Sequence, residues 1–255
     1  MKLITFAGPS GAGKTAAILK IAEILRGQSE GAGSKKLGVV KFDCISTEDD
    51  RLYRKQGIPV LSGVSANLCP DHYFVVNIEA CVAWGRRQGL GFLISESAGL
   101  CNRCSPHIKG VRAVCVIDCL AGVWAPKKAG PLLMFADIVI ITKADIVSQA
   151  EREVFAYRVR QANRKAAIYF LNGLTGQGAA AIAERLKAAD DLEVAGVEHK
   201  QMRFPLPLAL CSYCMGETRI GSDYVTASSI IRKIAIPETE EVAAKDWALE
   251  DVRNE

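Results

Sequence analysis

The segment from Gly8 to Thr15 constrains the fold more than any other part of the chain. It reads Gly8-Pro9-Ser10-Gly11-Ala12-Gly13-Lys14-Thr15, follows the apolar residues 3–7 and opens a helix-favouring stretch over 14–26. This is the pattern GxxxxGK(S/T) between a strand and a helix, the context that a phosphate loop requires. Its glycines let backbone N–H groups turn toward phosphates, and the helix start adds the positive end of a dipole.

The loop therefore predicts a nucleotide site. Lys14 is expected to reach the outer phosphates of a nucleoside triphosphate, and Thr15 is expected to offer its hydroxyl to Mg²⁺. The residues of the loop that we predict to bind the nucleotide are Gly8, Ser10, Gly11, Ala12, Gly13, Lys14, Thr15 and Ala16.

Short apolar runs alternate with helix-favouring stretches over the first 190 residues. Strands are predicted near 3–7, 37–42, 91–95, 111–118, 137–142 and 167–172, and helices at 14–26, 73–87, 150–163 and 178–188. This alternation is typical of βαβ units, so we predict an α/β fold of the P-loop NTPase kind with a doubly wound, mostly parallel sheet. The alternation breaks after Asp190. We therefore predict a P-loop domain over 1–190 and a small cysteine-containing extension over 191–255.

Composition narrows the environment and the partners. The net charge is +4, and no Lys/Arg run is interleaved with aromatic residues, which argues against a nucleic-acid partner. No apolar run reaches the roughly 18 residues of a membrane span, and the amino-terminal apolar stretch is too short for a signal peptide. We expect a cytoplasmic protein that does not insert into membranes. In such a compartment, paired cysteines are more often metal or redox ligands than disulfides.

A second motif points to the base of the nucleotide. Thr142-Lys143-Ala144-Asp145 ends an apolar run and resembles the (N/T)KxD motif, in which the aspartate accepts from guanine nitrogens and the lysine stem covers the ring. Thr142 stands where asparagine is usual. The motif favours GTP, although an exposed turn at a strand end would have the same sequence. Asn172 begins the next loop, which is predicted to close over the base.

The order of these motifs resembles that of the nickel-insertion GTPases, the family of the urease accessory protein UreG and the hydrogenase accessory protein HypB, over roughly residues 1–190. Besides the phosphate loop, three segments carry the resemblance. Residues 43–52 are similar to DxxTxEDxR with Ser46 replacing threonine, Glu96-Ser97-Ala98-Gly99 is similar to the acidic loop after the third strand, and 116–122 with 128–131 resemble the stretch before the guanine motif. Cys69-Pro70-Asp71-His72 resembles the Cys-Pro-His metal site with one residue inserted.

The resemblance implies roles for acidic residues and for partners. Glu96 would join the magnesium shell, and Asp43 or Asp49 would orient the attacking water. Cys69 and His72 would bind a metal ion. Proteins of this family dimerise and serve a client metalloenzyme or its maturation factors. Nitrogenase-type and partitioning ATPases carry a second lysine early in the loop, where this chain has Pro9, so we rank the GTPase above the ATPase.

Two CxxC pairs depart from that family pattern. They are Cys101 with Cys104, and Cys211 with Cys214. Each pair can place two thiolates on one cation, and together four thiolates would suit zinc or an iron–sulfur cluster. Buried apolar cysteines or a disulfide are the alternative. His107 extends the first pair to C-x2-C-x2-H, although a histidine after Pro106 is more often an ordinary loop residue. The remaining cysteines, predicted to be core residues, are Cys44, Cys81, Cys115 and Cys119.

The leading hypothesis is a GTP-dependent metallocentre assembly protein. Hydrolysis of GTP to GDP, with Mg²⁺, would change how a thiolate site holds zinc, nickel or a 4Fe–4S cluster. The alternative is an NTP-gated iron–sulfur electron donor or reductive activator, which needs the same loop but a redox-active cluster. A P-loop kinase would require a basic lid segment, and the sequence has none.

Overall fold

A computed structural model describes residues 1–27, 36–44, 48–66, 69–99, 102–193, 196–205, 217–224 and 232–237. These residues form one parallel sheet of seven strands with helices on both faces. The strands are β1 (Lys2–Ala7), β2 (Lys36–Asp43), β3 (Val60–Val64), β4 (Leu90–Ser97), β5 (Arg112–Asp118), β6 (Ile138–Thr142) and β7 (Ala167–Leu171). The helices are α1 (Lys14–Gly27), α2 (Asp49–Lys55), α3 (Pro70–Arg87), α4 (Ala125–Lys128), α5 (Pro131–Met134), α6 (Gln149–Ala162) and α7 (Ala179–Lys187). No helix in these ranges is long and apolar enough to cross a membrane.

The order of the strands is β3-β2-β4-β1-β5-β6-β7, and every neighbouring pair is parallel. This confirms the predicted doubly wound sheet. The sequence patterns did not predict β3 or α2. Strand β3 is a short edge strand that contains Gly63, and α2 is a seven-residue helix of mostly charged residues. Neither segment therefore carries enough apolar periodicity to be recognised.

The helices cover the sheet with apolar faces spaced as a helix requires. In α1 the buried side chains include Ala17, Ile18, Ile21 and Leu25, one stripe that faces the sheet and α7. Helix α3 covers the opposite face, where Phe74 packs against Phe42 of β2 with the rings 5.2 Å apart. A third cluster fills the space beneath α4, α5 and α6.

Parts of the predicted extension belong to the same core. The side chains of Val197, Met202, Ile220 and Ile234 are buried in the cluster that α3 forms with the sheet. Arg203 reaches under the sheet, and its guanidinium donates at 2.8 Å to both oxygens of Asp137 and to three backbone carbonyls. The described parts of 191–255 therefore pack onto the nucleotide-binding domain, while Cys211 and Cys214 lie outside the described residues.

The fold gathers chemistry-bearing residues at one edge. Parallel strands bring their carboxyl ends together, and loops at that edge bind ligands in open α/β sheets. Here the edge holds the phosphate loop after β1, Asp43 at the end of β2, Glu96 near the end of β4 and Asp118 at the end of β5.

Candidate functional site

The phosphate loop requires glycine where the backbone is crowded. Gly8 has φ of +145°, and a Cβ there would lie 2.0 Å from the carbonyl oxygen of Val116. A Cβ on Gly99 would lie 1.7 Å from the carbonyl oxygen of Gly8. The loop is thus held between β5 and the segment after β4, and these contacts fix its curvature.

Lys14 turns back over the loop. Its side chain is buried, and Nζ donates to the carbonyl oxygens of Gly8 at 3.0 Å, Pro9 at 2.9 Å and Ala98 at 3.3 Å. Burial lowers the pKa of Lys14, and the charge of Glu96 partly opposes that effect. An ammonium ion held by carbonyls at the start of α1 is placed to meet phosphate oxygens.

Five side chains form a hydrogen-bonded group beside the loop, which we call the polar ring; they are those of Thr15, Lys41, Asp49, Tyr53 and Glu96. The hydroxyl of Thr15 lies 3.0 Å from Asp49 Oδ2 and 2.8 Å from Glu96 Oε1. Lys41 Nζ contacts the same two oxygens, at 2.6 and 2.8 Å. Tyr53 donates to the other oxygen of Glu96 at 2.7 Å. The ring therefore satisfies the fully buried carboxylate of Glu96 at both oxygens.

Contacts within the ring also shift the pKa values of Lys41 and Asp49. Burial alone would lower the pKa of Lys41, but Glu96 and Asp49 raise it above the ordinary value. Burial would raise the pKa of Asp49, but the hydrogen bond from Lys41 lowers it. Sequence reasoning missed Lys41 and Tyr53. A lysine between the apolar residues of a buried strand, two positions before Asp43, was the available signal.

These groups line one cavity of about 440 Å³. Among the predicted nucleotide and magnesium residues, its walls include Ser10, Gly11, Gly13, Lys14, Thr15, Ala16, Asp43, Asp49 and Glu96. Asp43 turns one oxygen to the backbone N–H of Cys44 at 2.7 Å. A hydroxyl flanked by carboxylates offers the oxygen ligands that Mg²⁺ prefers, so the donor set fits that ion.

The predicted base-binding residues adjoin the same loop. Thr142 donates to the carbonyl of Ala12 at 2.7 Å, which ties the end of β6 to the phosphate loop. Lys143 has φ of +55° and contacts the carbonyl oxygen of Gly11 at 3.0 Å and Asp118 at 2.6 Å. Asp145 is exposed in the following turn. The strand end is therefore fastened to the loop, and Asp145 faces solvent beside it.

Asn172 organises its own loop. Its side-chain oxygen accepts from the backbone N–H groups of Leu174 at 2.9 Å and Thr175 at 3.0 Å. A Cβ on Gly173 would lie 3.2 Å from Ala16. The loop after β7 thus lies against the start of α1, and the oxygen of Asn172 shapes this loop.

A second group of ligand-type side chains lies on the other side of β4. The ligand atoms of Cys69, Asp71 and Cys104 lie within 4.8 Å of one another, and we call this group the cysteine cluster. Cys69 precedes α3, and Asp71 lies in its first turn. The sequence predicted Cys69 with His72 and Cys104 with Cys101. The structure brings Cys104 to Cys69, and His72 also interacts with Cys69. Cys101 lies outside the described residues.

The cluster holds acidic groups with unusual pKa values. A hydrogen bond from Cys104 lowers the pKa of Cys69 to about 4, and His72 also contributes. Burial raises the pKa of Asp71 to about 7, and the charge of Cys69 adds to this. Asp71, the residue inserted relative to the Cys-Pro-His pattern, also accepts from the hydroxyl of Ser97 at 2.9 Å. The lowered pKa of Cys69 favours its thiolate, the form that binds metals.

His107 is a structural residue and not part of the cluster. Its ring is fully buried, and Nε2 donates to the carbonyl of Leu132 at 2.9 Å. Nδ1 therefore accepts from the hydroxyl of Thr5, also at 2.9 Å. Burial lowers the pKa of His107 to about 4. The C-x2-C-x2-H hypothesis is wrong, because both ring nitrogens already have partners. Cys81, Cys115 and Cys119 are buried core residues, as predicted, and Cys44 is half-buried.

Residues 96–99, which we call the bridging segment, touch both groups. Glu96 belongs to the polar ring, and Ser97 hydrogen-bonds Asp71 of the cysteine cluster. The carbonyl of Ala98 accepts from Lys14, and Gly99 lies against Gly8. One short stretch of backbone therefore joins the nucleotide cavity to the thiols.

Comparisons with known proteins place the chain in a family. A protein from Methanocaldococcus jannaschii, described only as uncharacterized, is 44% identical over 92% of this chain and 96% of its own length. HypB, a hydrogenase maturation factor from Archaeoglobus fulgidus, superimposes with a TM-score of 0.58 at 20% identity, over 73% of this chain and 89% of HypB. HypB from Helicobacter pylori, determined in complex with nickel, superimposes with a TM-score of 0.57 at 19% identity, over 73% of this chain and 86% of that HypB. The family profile "CobW/HypB/UreG, nucleotide-binding domain" matches residues 2–170. The chain therefore belongs to the CobW/HypB/UreG family of P-loop nucleotide-binding domains.

Proposed function

We propose that this protein is a GTP-dependent metallocentre assembly protein in which nucleotide hydrolysis changes the hold of the cysteine cluster on a metal ion. The bridging segment supports this proposal most directly. Its consecutive residues Glu96 and Ser97 contact the two sites, Glu96 in the polar ring and Ser97 at Asp71 of the cysteine cluster. If the terminal phosphate shifts the segment after β4, Asp71, which lies beside the thiols, would shift with it. Relatedness to HypB, one example of which was determined with nickel, supports the same reading.

The hydrolytic chemistry follows from the polar ring. Lys14 supplies positive charge where phosphate charge develops, and Asp43 or Asp49 accepts a hydrogen bond from the attacking water. Thr15 and Glu96, with Asp49, would hold Mg²⁺, which neutralises phosphate oxygens when it is bound. When the terminal phosphate leaves, Lys14 and the segment after β4, which Lys14 contacts at Ala98, would lose the group that both would contact.

The cysteine cluster is suited to hold a metal temporarily. Two thiols and one carboxylate offer donors for zinc or nickel. Structural zinc sites are closed by four protein ligands, whereas sites that exchange a ligand keep a position open. The three ligand atoms within 4.8 Å of one another leave such a position for a partner's ligand, for His72 or for cysteines outside the described residues. The metal is therefore treated as cargo.

Guanine preference and partners are part of the same proposal. The ties from Thr142 to Ala12 and from Lys143 to Gly11 support a base site next to the phosphate loop, with Asp145 reading the base. A cargo metal implies a recipient, so we propose a client metalloenzyme or its maturation factors as partners. A homodimer is proposed from the family alone.

The test is metal affinity in two nucleotide states. Ni²⁺ and Zn²⁺ affinities are measured separately by chelator competition, with GDP and with a non-hydrolysable GTP analogue, under anaerobic conditions. We expect the two states to differ by about 5- to 150-fold, the usual range for linked sites. The double variant Cys69→Ala, Cys104→Ala should lose the binding, whereas Cys119→Ala, a buried cysteine of another core cluster, should keep it.

Other outcomes distinguish the alternatives. Equal affinities in the two states would contradict the assembly proposal. A visible absorption band typical of an iron–sulfur cluster, with stoichiometric sulfide, would favour the NTP-gated electron donor. Unchanged metal binding in the double variant would move the site to the CxxC pair of Cys211 and Cys214.

A further inference from the structure

Lys41 is a buried cation that the phosphate-loop motif does not account for. Its side chain is 3% exposed, and it lies in β2, the strand next to β4. It lines the nucleotide cavity, whose described walls contain one other lysine, Lys14. Burying an ammonium ion is costly unless charged partners compensate it. The compensation here comes from Asp49 and Glu96.

The two contacts of Lys41 are made to functional oxygens. Asp49 Oδ2 and Glu96 Oε1 are the same atoms that lie within hydrogen-bond distance of the Thr15 hydroxyl. Lys41 therefore fixes both carboxylates from the strand side while Thr15 faces them from the start of α1. Tyr53 anchors the second oxygen of Glu96, whereas the hydrogen bonds described for the Asp49 side chain come from Lys41 and Thr15.

Charge balance gives Lys41 its importance. Without it, the carboxylates of Asp49 and Glu96 would face one hydroxyl with no ammonium ion between them, and their like charges would repel each other. The phosphate loop supplies Lys14, and Lys41 brings a second positive charge from a neighbouring strand into the same cavity.

We propose that Lys41 is a positioning residue of the hydrolytic site, whose ammonium group holds the carboxylates of Asp49 and Glu96 aimed at Thr15 so that these three groups bind Mg²⁺ together. This inference rests on the proposed function only for the identity of the nucleotide. Groups that orient a metal ligand typically contribute about 10- to 100-fold to metal affinity. Lys41 should therefore govern magnesium affinity more than nucleotide affinity.

The experiment measures GDP binding by calorimetry at a series of Mg²⁺ concentrations and in EDTA. In Lys41→Met, the Mg²⁺ concentration that half-saturates the effect on GDP affinity should rise by about 10- to 100-fold. GDP affinity in EDTA should stay close to wild type, because the phosphate loop is intact. Lys41→Arg should recover part of the loss, since its fork can contact both carboxylates.

A matched control separates this role from simple stability. Lys2 is another buried strand lysine, in β1, with Asp191 as its partner outside the cavity. Lys2→Met should lower thermal stability and leave the magnesium dependence unchanged. If Lys41→Met does not fold, Lys41→Gln keeps a hydrogen-bond donor without the charge and should still lose magnesium affinity.

A wild-type magnesium dependence in folded Lys41→Met or Lys41→Gln would overturn the proposal. Failure of the proposed function looks different: Ni²⁺ and Zn²⁺ would bind equally in both nucleotide states of the wild type. The magnesium shift in the Lys41 variants would still be observed in that case.

Discussion

In the nucleotide cavity the buried carboxylate of Glu96 lies between Lys41 and Tyr53, whereas in the cysteine cluster the buried carboxylate of Asp71 lies beside the thiols of Cys69 and Cys104. The first carboxylate meets an ammonium ion at 2.8 Å. The second has the Ser97 hydroxyl as its hydrogen-bond donor and a thiolate nearby. The two sites are joined by a single peptide unit, between Glu96 and Ser97.

The two sites differ in how their charges are balanced. The polar ring carries its own counter-charge in Lys41, which holds the carboxylates of Asp49 and Glu96 in position. The cysteine cluster combines a low-pKa thiolate with a carboxyl whose pKa is raised to about 7. A cation that enters the cluster would stabilise both negative charges at once. We therefore expect the geometry of the polar ring to be set by its own residues, and that of the cysteine cluster to depend on the cation that it binds.

Lys14→Ala should separate the two sites by the largest effect. Its charge is needed where phosphate charge develops, so turnover of GTP should fall by about 10²- to 10³-fold or more. The affinity of the cysteine cluster for Ni²⁺ without nucleotide should be unchanged. Phosphate release and chelator competition measure the two quantities. Turnover at the wild-type rate would mean that the phosphate loop is not the working site.

The same two regions differ in how far the sequence predicts them. The phosphate loop is a contiguous motif between a strand and a helix, so local patterns placed it and its helix correctly. Lys41 was missed because a single strand lysine has no local signature, and its two partners lie 8 and 55 positions away. Local patterns detect residues that are close in sequence, whereas the polar ring joins residues that are far apart in sequence.

The cysteine cluster was predicted in pieces. Its residues come from the start of α3 and from the segment after β4, and these approach only because β2, β4 and α3 pack together. The CxxC spacing favoured Cys101 as the partner of Cys104, yet folding brings Cys69 to it. The insertion of Asp71 appeared as a disturbance of the family pattern, whereas in the structure it adds a carboxylate to the group.

The second prediction concerns the anchor of the Cys104 segment. His107 is buried with a pKa of about 4, below its unfolded value of about 6.5. The unfolded chain therefore binds more protons than the folded chain between these values. The stabilisation is complete above about pH 6.5 and is lost as the pH falls toward 4, by about 3 kcal/mol.

Urea unfolding of wild type and His107→Gln across this window measures that contribution. The glutamine variant should be less stable at neutral pH and should show a weaker loss between pH 6.5 and 4. Parallel pH profiles for the two proteins would mean that His107 does not titrate on unfolding. The loss of stability at acid pH would then come from other groups.

The third prediction tests recognition of the nucleotide base. Asp145→Ala should reduce GDP affinity by about 10- to 100-fold, the cost of losing charged hydrogen bonds to a base, and leave ADP affinity unchanged. Calorimetry with both nucleotides measures it. Asp190→Ala, an exposed aspartate beyond α7, serves as the control. Equal wild-type affinities for GDP and ADP would contradict guanine recognition by the segment after β6.

The last prediction concerns the contact between the nucleotide cavity and the cysteine cluster, and its effect should be small. Ser97→Ala removes the 2.9 Å hydrogen bond to Asp71 but leaves Glu96 and the cysteine ligands in place. A hydrogen bond of this kind contributes about 1 kcal/mol, so the ratio of Ni²⁺ affinities in the two nucleotide states should shrink by about fivefold. Ser95→Ala, another buried serine of β4, should keep the wild-type ratio. If Ser97→Ala also keeps that ratio while Lys14→Ala abolishes turnover, the signal passes instead through Gly99 and the chain that leads to Cys104. The two sites would then be joined by backbone movement and not by the carboxylate of Asp71.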